Sequence, residues 1–169
     1  MSWTCPKCGH RFVSRNQWHS CGNWDLAHHF SERPEHIRSL FDRFREMVES
    51  CGPVTVESQK TRIVFTCDVR FASAIPRMKW LEVGLWLTRR ATHPALHQAE
   101  TLASHTIIHR FHIGRREQLD GPFERLIEES YRVGWREHLA PAPAPAAGAG
   151  GSRTKRASGD GETEPTAGE

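Results

Sequence analysis

The most chemically distinctive part of this sequence is a group of cysteines near its beginning. Cys5 and Cys8 are separated by two residues in the segment C-P-K-C-G, and Cys21 follows in the segment H-S-C-G. Two thiolates at this spacing can hold one metal ion when the chain between them turns tightly. The proline and the glycine of the first segment favour such a turn, because proline fixes its own backbone angle and glycine accepts conformations that strain other residues.

His19 and Cys21 are the candidates for the second half of the site. Side chains at positions i and i+2 of an extended segment point the same way, so both could reach the same ion. Three sulfurs and one imidazole complete a tetrahedral zinc site, which is structural because no position stays open for water. His28 and His29 are close enough in sequence to replace either ligand. An exposed redox pair, or thiols without a metal, are the alternatives to zinc.

The composition suits one domain of modest charge. The chain has 169 residues, five cysteines and a formal net charge of +3, from 23 basic and 20 acidic residues. A protein that grips nucleic acid over a wide surface has a larger basic excess, and only residues 1–23, with three basic residues and no acid, keep that possibility open. With no apolar stretch of membrane-spanning length and no signal-peptide layout, we expect a cytoplasmic protein with reduced thiols.

The sequence divides into three regions. Residues 1–23, the front segment, contain the predicted zinc knuckle, and residues 24–139, the body, have clear hydrophobic periodicity. Residues 140–169 begin as a linker of proline, alanine and glycine and continue as a polar tail. We expect this last region to be disordered, because it has too little apolar surface to offset the entropy lost on folding.

Two helices are predicted in the body. The first is capped by Ser31 and ends at Gly52, and the second begins after Asp120. Helical spacing places apolar residues on one face of each. These residues are Ile37, Leu40, Phe41, Phe44, Met47, Val48 and Cys51 in the first helix, and Phe123, Leu126, Ile127 and Trp135 in the second.

Alternation of apolar and polar residues predicts strands at 54–57, 63–71, 80–88 and 106–113. Strands with one apolar face suit an antiparallel sheet that is covered on one side. The predicted fold is therefore α+β, with a sheet of about four strands flanked by two main helices.

Several segments resemble an uncharacterised bacterial family, domain of unknown function 5655. They are W-T-C-P-K-C-G at 3–9, N-Q-W-H-S-C-G at 16–22, H-H-F at 28–30, C-G-P-V-T-V-E at 51–57, Q-K-T-R-I-V-F at 59–65, S-H-T-I-I-H-R-F at 104–111 and E-E-S-Y at 128–131. The resemblance extends from about residue 3 to residue 137. It implies a small α+β domain, some of whose relatives have a cysteine-bearing front, and it implies no reaction.

A second candidate site lies on the predicted sheet. Glu57, Lys60 and Arg62 flank one strand connection, and His109 could approach them from another strand. Charged groups of both signs could bind an anionic ligand, although a solvated hairpin with ordinary ion pairs has the same pattern. His109 shares its face with apolar residues, which is typical either of a general base or of a hydrogen-bonded core histidine.

No nucleophile-elbow serine and no glycine-rich phosphate loop are present, so the sequence gives no positive sign of an enzyme. We predict a binding module for nucleic acid or protein, whose zinc knuckle acts through its basic residues together with exposed Trp3, Trp18 and Trp24. The alternative is a domain that binds a small molecule or anion, or a weak enzyme, around Lys60, with a purely structural zinc.

Overall fold

A computed structural model describes residues 3–9, 11–12, 14–15, 21–22 and 24–140 of the chain. The linker and tail that we predict to be disordered lie outside these residues from position 141 onward. Within the described part of the chain, none of the helices has the length and apolar character needed to cross a bilayer.

The first helix, α1 (Glu35–Ser50), has the apolar face that its sequence predicts. It starts directly after Pro34 and not at Ser31, so the predicted cap was wrong. The Ser31 hydroxyl instead donates to the carbonyl of His28, at the end of a short 3-10 turn. Proline suits the start of a helix because the backbone N–H that it lacks would have no partner in the first turn.

Six strands follow α1 and form one antiparallel sheet in the order β3-β4-β5-β6-β8-β7. The front segment forms a separate pair, β1 and β2. The strands are β1 (Trp3–Thr4), β2 (Arg11–Phe12), β3 (Thr55–Ser58), β4 (Ile63–Thr66), β5 (Arg70–Pro76), β6 (Leu81–Leu87), β7 (Leu96–Ala103) and β8 (Thr106–Ile113).

The prediction of about four strands was wrong, because the body has six. The segment 63–71 forms not one strand but most of a hairpin, in which β4 and β5 pair and the chain reverses between Thr66 and Arg70. A register irregularity between Phe65 and Thr66 shifts the alternation there. β7 was missed because half of its residues are polar and six of its eight residues are exposed, so no apolar alternation marks it.

The second helix, α2 (Gly121–Gly134), begins as predicted after Asp120. One carboxylate oxygen of Asp120 accepts a hydrogen bond from the backbone N–H of Phe123 at 2.8 Å. This bond satisfies one of the amide groups that a helix leaves unpaired at its start.

Both helices pack on the same face of the sheet, which we call the covered face. Aromatic rings join the layers: Phe44 meets Phe65 edge to face at 5.4 Å between centroids, and Phe111 meets Phe123 at 5.1 Å. Burial of this apolar surface is the main stabilising contribution to the body. We call the opposite side of the sheet the open face. Along each strand, the residues between those of the covered face point to the open face.

The strands at the two edges of the sheet are shorter or less regularly paired than the strands at its centre. β3 has only four residues, and the pairing of β7 with β8 is interrupted twice, between Leu96 and Gln98 and between Thr101 and Ala103. Seven consecutive residue pairs join β6 and β8 without interruption. The regular part of the sheet is therefore its middle, where α2 packs.

Candidate metal centre

The structure brings the three predicted cysteine ligands together. The sulfur atoms of Cys5, Cys8 and Cys21 all lie within 4.8 Å of one another, and the Cys5 and Cys21 sulfurs are 3.8 Å apart. A tetrahedral zinc ion with bonds of about 2.3 Å to sulfur would hold two sulfurs about 3.8 Å apart. A disulfide needs about 2.0 Å, so the spacing suits a shared metal ion.

The C-x-x-C segment occupies the loop between β1 and β2. Trp3 pairs with Phe12 across the two strands, and their rings are 5.9 Å apart. The backbone N–H of Gly9 donates to the carbonyl of Cys5 at 2.8 Å, which closes the turn that carries both thiols. Gly9 has φ of 75°, a left-handed conformation that favours glycine.

Two of the thiols, those of Cys5 and Cys21, differ in how easily they ionise. Burial opposes ionisation of Cys5, but hydrogen bonds from the backbone N–H groups of Lys7 and Cys8 and from the other two thiols lower its pKa to about 6. Burial, hydrogen bonding to Cys8 and Cys5 and repulsion from their charges raise the pKa of Cys21 to about 11. A divalent cation would remove this repulsion, because it attracts every thiolate in the cluster.

The fourth ligand predicted from sequence, His19, lies outside the described residues. Neither His28 nor His29 belongs to the group of potential metal donors that the described residues form. The ring of His29 is hydrogen-bonded through Nε2 to the Ser58 hydroxyl at 3.0 Å, and burial lowers its pKa. The His28 ring packs against Trp24 at 5.1 Å between centroids. The described part of the site therefore consists of the three cysteines, and His19 remains a prediction.

The front segment contacts the body near the turn between β4 and β5. Arg11 lies 3.9 Å from Asp68, whose other carboxylate oxygen is 3.1 Å from Arg136. The side chains of Arg11 and Asp68 are partly exposed, so this ion pair adds little stability by itself. It does place the front segment beside the turn in which Asp68 lies.

Two of the tryptophans predicted to be exposed are less accessible than the sequence suggests. Trp3 and Trp24 are each half-buried, Trp3 against Phe12 and Trp24 beside His28. Trp18 lies outside the described residues. Stacking of unpaired bases on these rings is therefore restricted.

The residues of the second candidate site do not all come together. Glu57 is buried, Lys60 is exposed between β3 and β4, and Arg62 is half-buried beside the open face of the sheet. His109 lies on the covered face and is fully buried. The sheet therefore separates His109 from Arg62.

His109 has the surroundings of a core histidine. Its Nε2 accepts a hydrogen bond from the backbone N–H of Ala91 at 3.0 Å, and its Nδ1 lies 3.2 Å from the carbonyl of Ile107. A neutral ring with its proton on Nδ1 satisfies both contacts. Burial lowers the pKa of His109, and the nearby charges of two arginines act in the same direction.

The open face contains two residues, Ser73 and Gly84, that the sequence did not single out. With Arg110 they lie side by side on β5, β6 and β8 and line a groove of about 240 Å³. They are far apart in sequence and belong to no recognisable motif. Only strand pairing brings them together.

The body is an α+β domain in which two helices cover one face of an antiparallel sheet, and a cluster of three cysteines precedes it. Residues 26–134 match the family described as Domain of unknown function (DUF5655). This match spans more than half of the chain, and the chain belongs to that family. The match begins after Cys21 and leaves the cysteine cluster outside it. No match to this chain is found among the curated proteins or among the solved structures.

Proposed function

We propose that the cysteine cluster binds one structural zinc ion and that the chain acts as a zinc-stabilised binding module. The observation that carries the proposal is the approach of the three sulfurs to within 4.8 Å of one another. Thiolates favour zinc over magnesium or calcium, which prefer oxygen ligands. A fourth bond from His19 would close the coordination shell, which is the arrangement of a structural site.

Zinc binding would supply the stability that the front segment does not gain from apolar packing. Its described strands contain two residues each, and Cys5 and Phe12 are its buried apolar side chains among the described residues. So little apolar burial does not offset the entropy of ordering the chain. In small zinc domains the free energy of metal binding is the free energy of folding.

The partner that we propose for this module is single-stranded nucleic acid, and a protein partner is the alternative. Lys7 and Arg15 are exposed, and residues 1–23 contain no acid to neutralise them. Because the described tryptophans are half-buried, contact with phosphates should contribute more than base stacking. Such binding depends strongly on salt.

Metal analysis of the purified full-length chain tests the zinc proposal. We expect one zinc ion per chain, and we expect it to be lost in Cys8→Ser and retained in Cys51→Ser. Cys51 is a matched control because it is a half-buried thiol of the body outside the cluster. His19→Ala tests the fourth ligand and should weaken zinc binding. A native chain without stoichiometric metal would contradict the proposal.

Fluorescence anisotropy with a labelled single-stranded oligonucleotide tests the partner. Each lost phosphate contact should reduce the slope of log affinity against log salt by about 0.7. We expect weaker binding for the double variant Lys7→Gln and Arg15→Gln, and unchanged binding for Arg45→Gln, which breaks an ion pair on α1. If no binding occurs at low salt, the nucleic-acid proposal is wrong, and a protein partner is the alternative to test next.

A further inference from the structure

The open face of the sheet contains a groove of about 240 Å³ with an excess of positive charge. Three arginines, Arg62, Arg77 and Arg110, line it, and Glu82 is the acid among its lining residues. The groove lies on the body, on the side of the sheet opposite the helices. It is independent of the proposed function, because none of the cysteine ligands lines it.

The floor of the groove is a row of three residues on neighbouring strands. Ser73 pairs directly with Gly84, and Gly84 pairs directly with Arg110. A Cβ atom at position 84 would lie only 2.6 Å from the Ser73 hydroxyl, so glycine keeps the middle of this row open. Adjacent positions across strands are about 5 Å apart, so one small group above Gly84 could reach both neighbours.

Ser73 provides a buried polar group that faces this space. Its residue is only 5% exposed, and its hydroxyl has no hydrogen bond within the described part of the chain. By contrast, the hydroxyl of the fully buried Ser130 donates to the carbonyl of Phe71 and accepts from the N–H of Trp86. The Ser73 hydroxyl borders the groove, so a ligand oxygen above Gly84 could accept a hydrogen bond from it.

The arginines differ in how far acids neutralise them. Arg77 is paired with Glu82 at 3.0 Å, whereas Arg110 has a looser contact with Glu100 at 3.6 Å. Arg62 has no ion pair with any described residue. Burial lowers the pKa of Arg70, and the charge of Arg62 lowers it further while Glu57 opposes this shift. The surroundings of Arg62 thus have positive charge that an anion would stabilise.

One wall of the groove is apolar. Trp86 and Ile108 pair directly across β6 and β8, and both line the groove. A Cβ atom at position 84 would lie 3.5 Å from the edge of the Trp86 indole, so this ring borders the open space directly. A bound anion could therefore pack an apolar or aromatic part against this wall.

We propose that this groove binds a small organic phosphate. The phosphate would lie above Gly84 and accept hydrogen bonds from the Ser73 hydroxyl and the Arg62 and Arg110 guanidinium groups. Donors on several sides suit a tetrahedral dianion better than a carboxylate, which one arginine can bind through both oxygens. The organic part would contact Trp86 and Ile108.

Calorimetric titration of the full chain with phenyl phosphate tests this site. We expect binding that is tighter than that of inorganic phosphate, because the phenyl ring adds contact with Trp86, and tighter than that of benzoate, because the carboxylate has a single charge. Arg62→Gln and Arg110→Gln should each weaken phenyl phosphate binding roughly tenfold. Arg45→Gln, on the opposite side of the sheet, is the matched control and should leave it unchanged.

Two further variants test the floor of the groove. Ser73→Ala should weaken phenyl phosphate binding several-fold without lowering the melting temperature, because the Ser73 hydroxyl makes no hydrogen bond within the described chain. Gly84→Ala should prevent binding by filling the floor, and circular dichroism checks that the variant folds. Binding should persist in Cys8→Ser, which separates this site from the proposed zinc function.

The proposal is overturned if phenyl phosphate gives no binding signal. Unchanged affinity in both arginine variants would also overturn it. Equal affinity for benzoate would contradict the choice of phosphate, and equal affinity for inorganic phosphate would contradict the role of the apolar wall.

Discussion

The body buries an apolar core that spans two helices and most of a six-stranded sheet, whereas the described part of the front segment buries only Cys5 and Phe12. In the body, apolar burial determines which side of each strand faces inward. In the described part of the front segment, three thiols converge instead. The comparison sets a region organised by its hydrophobic core against a region whose described residues have little apolar burial and share a cluster of thiols.

Removal of the proposed zinc ion should produce the largest local effect. A strong chelator should unfold the front segment, since apparent zinc-binding free energies in small zinc domains are on the order of 10 kcal/mol. The body should stay folded because its core contains none of the cysteine ligands. Hydrogen exchange with and without chelator measures both regions in one experiment. If the body lost its protection together with the front segment, the two regions would form a single folding unit.

Truncation of a core side chain should have the next largest effect. This effect should fall on the body and not on the front segment. Phe44 packs against Phe65 and Phe123, and it is fully buried. Phe44→Ala should lower the free energy of unfolding by about 3–5 kcal/mol, because it removes apolar contacts and leaves a cavity. Urea unfolding measures this loss. Zinc content in the folded variant should not change, and its loss would show that the core supports the metal site.

Loss of the Asp120 cap of α2 should have a smaller effect on the stability of the body. Asp120→Ala removes the bond to the N–H of Phe123 and the contact with the His93 ring at 3.2 Å. We expect a loss of about 1 kcal/mol in the free energy of unfolding, which is typical of a lost N-cap. Asp120→Asn should retain most of the stability because its amide oxygen can still accept the N–H bond. Equal losses for both variants would mean that the charge matters more than the cap.

The smallest predicted effect is a pH dependence of the body. The pKa of His109 is lowered in the folded protein, so the unfolded chain binds its proton more readily below the ordinary histidine pKa of about 6.5. Stability should therefore fall as the pH decreases from about 6.5 towards the folded pKa. His109→Gln should reduce this dependence in urea unfolding. It should not abolish it, because burial also lowers the pKa values of His29 and His112.

Sequence patterns correctly predicted the helices and strands in which the hydrophobic periodicity and the residues at the ends of the element indicate the same structure. The stripe of α1, the Asp120 cap of α2 and the strand β8 at Thr106–Ile113 were all confirmed. His109 could be placed on an apolar face for the same reason. Periodicity failed at 63–71, where Ile63 and Phe71 both enter the core although they lie on different strands. The turn between those strands was therefore hidden within a continuous alternation.

The cysteine cluster and the groove on the open face were predictable from the sequence to different degrees. Cys5 and Cys8 are close in sequence, and the short spacing by itself indicated that they meet. Ser73, Gly84 and Arg110 meet only because β5, β6 and β8 pair in one register. A shift by one residue on any of these strands would turn its side chain to the other face, so the groove depends on the complete sheet.

The irregular pairing of β7 has a consequence for how copies of this protein meet at high concentration. An edge strand with regular, unpaired amide and carbonyl groups invites another sheet to join it, and proteins commonly prevent such aggregation with bulges and charges. β7 is interrupted twice in its pairing and presents polar, exposed Gln98 and Glu100, while the opposite edge, β3, has only four residues. The sheet thus ends at both sides in strands that give a neighbouring chain little regular backbone to extend.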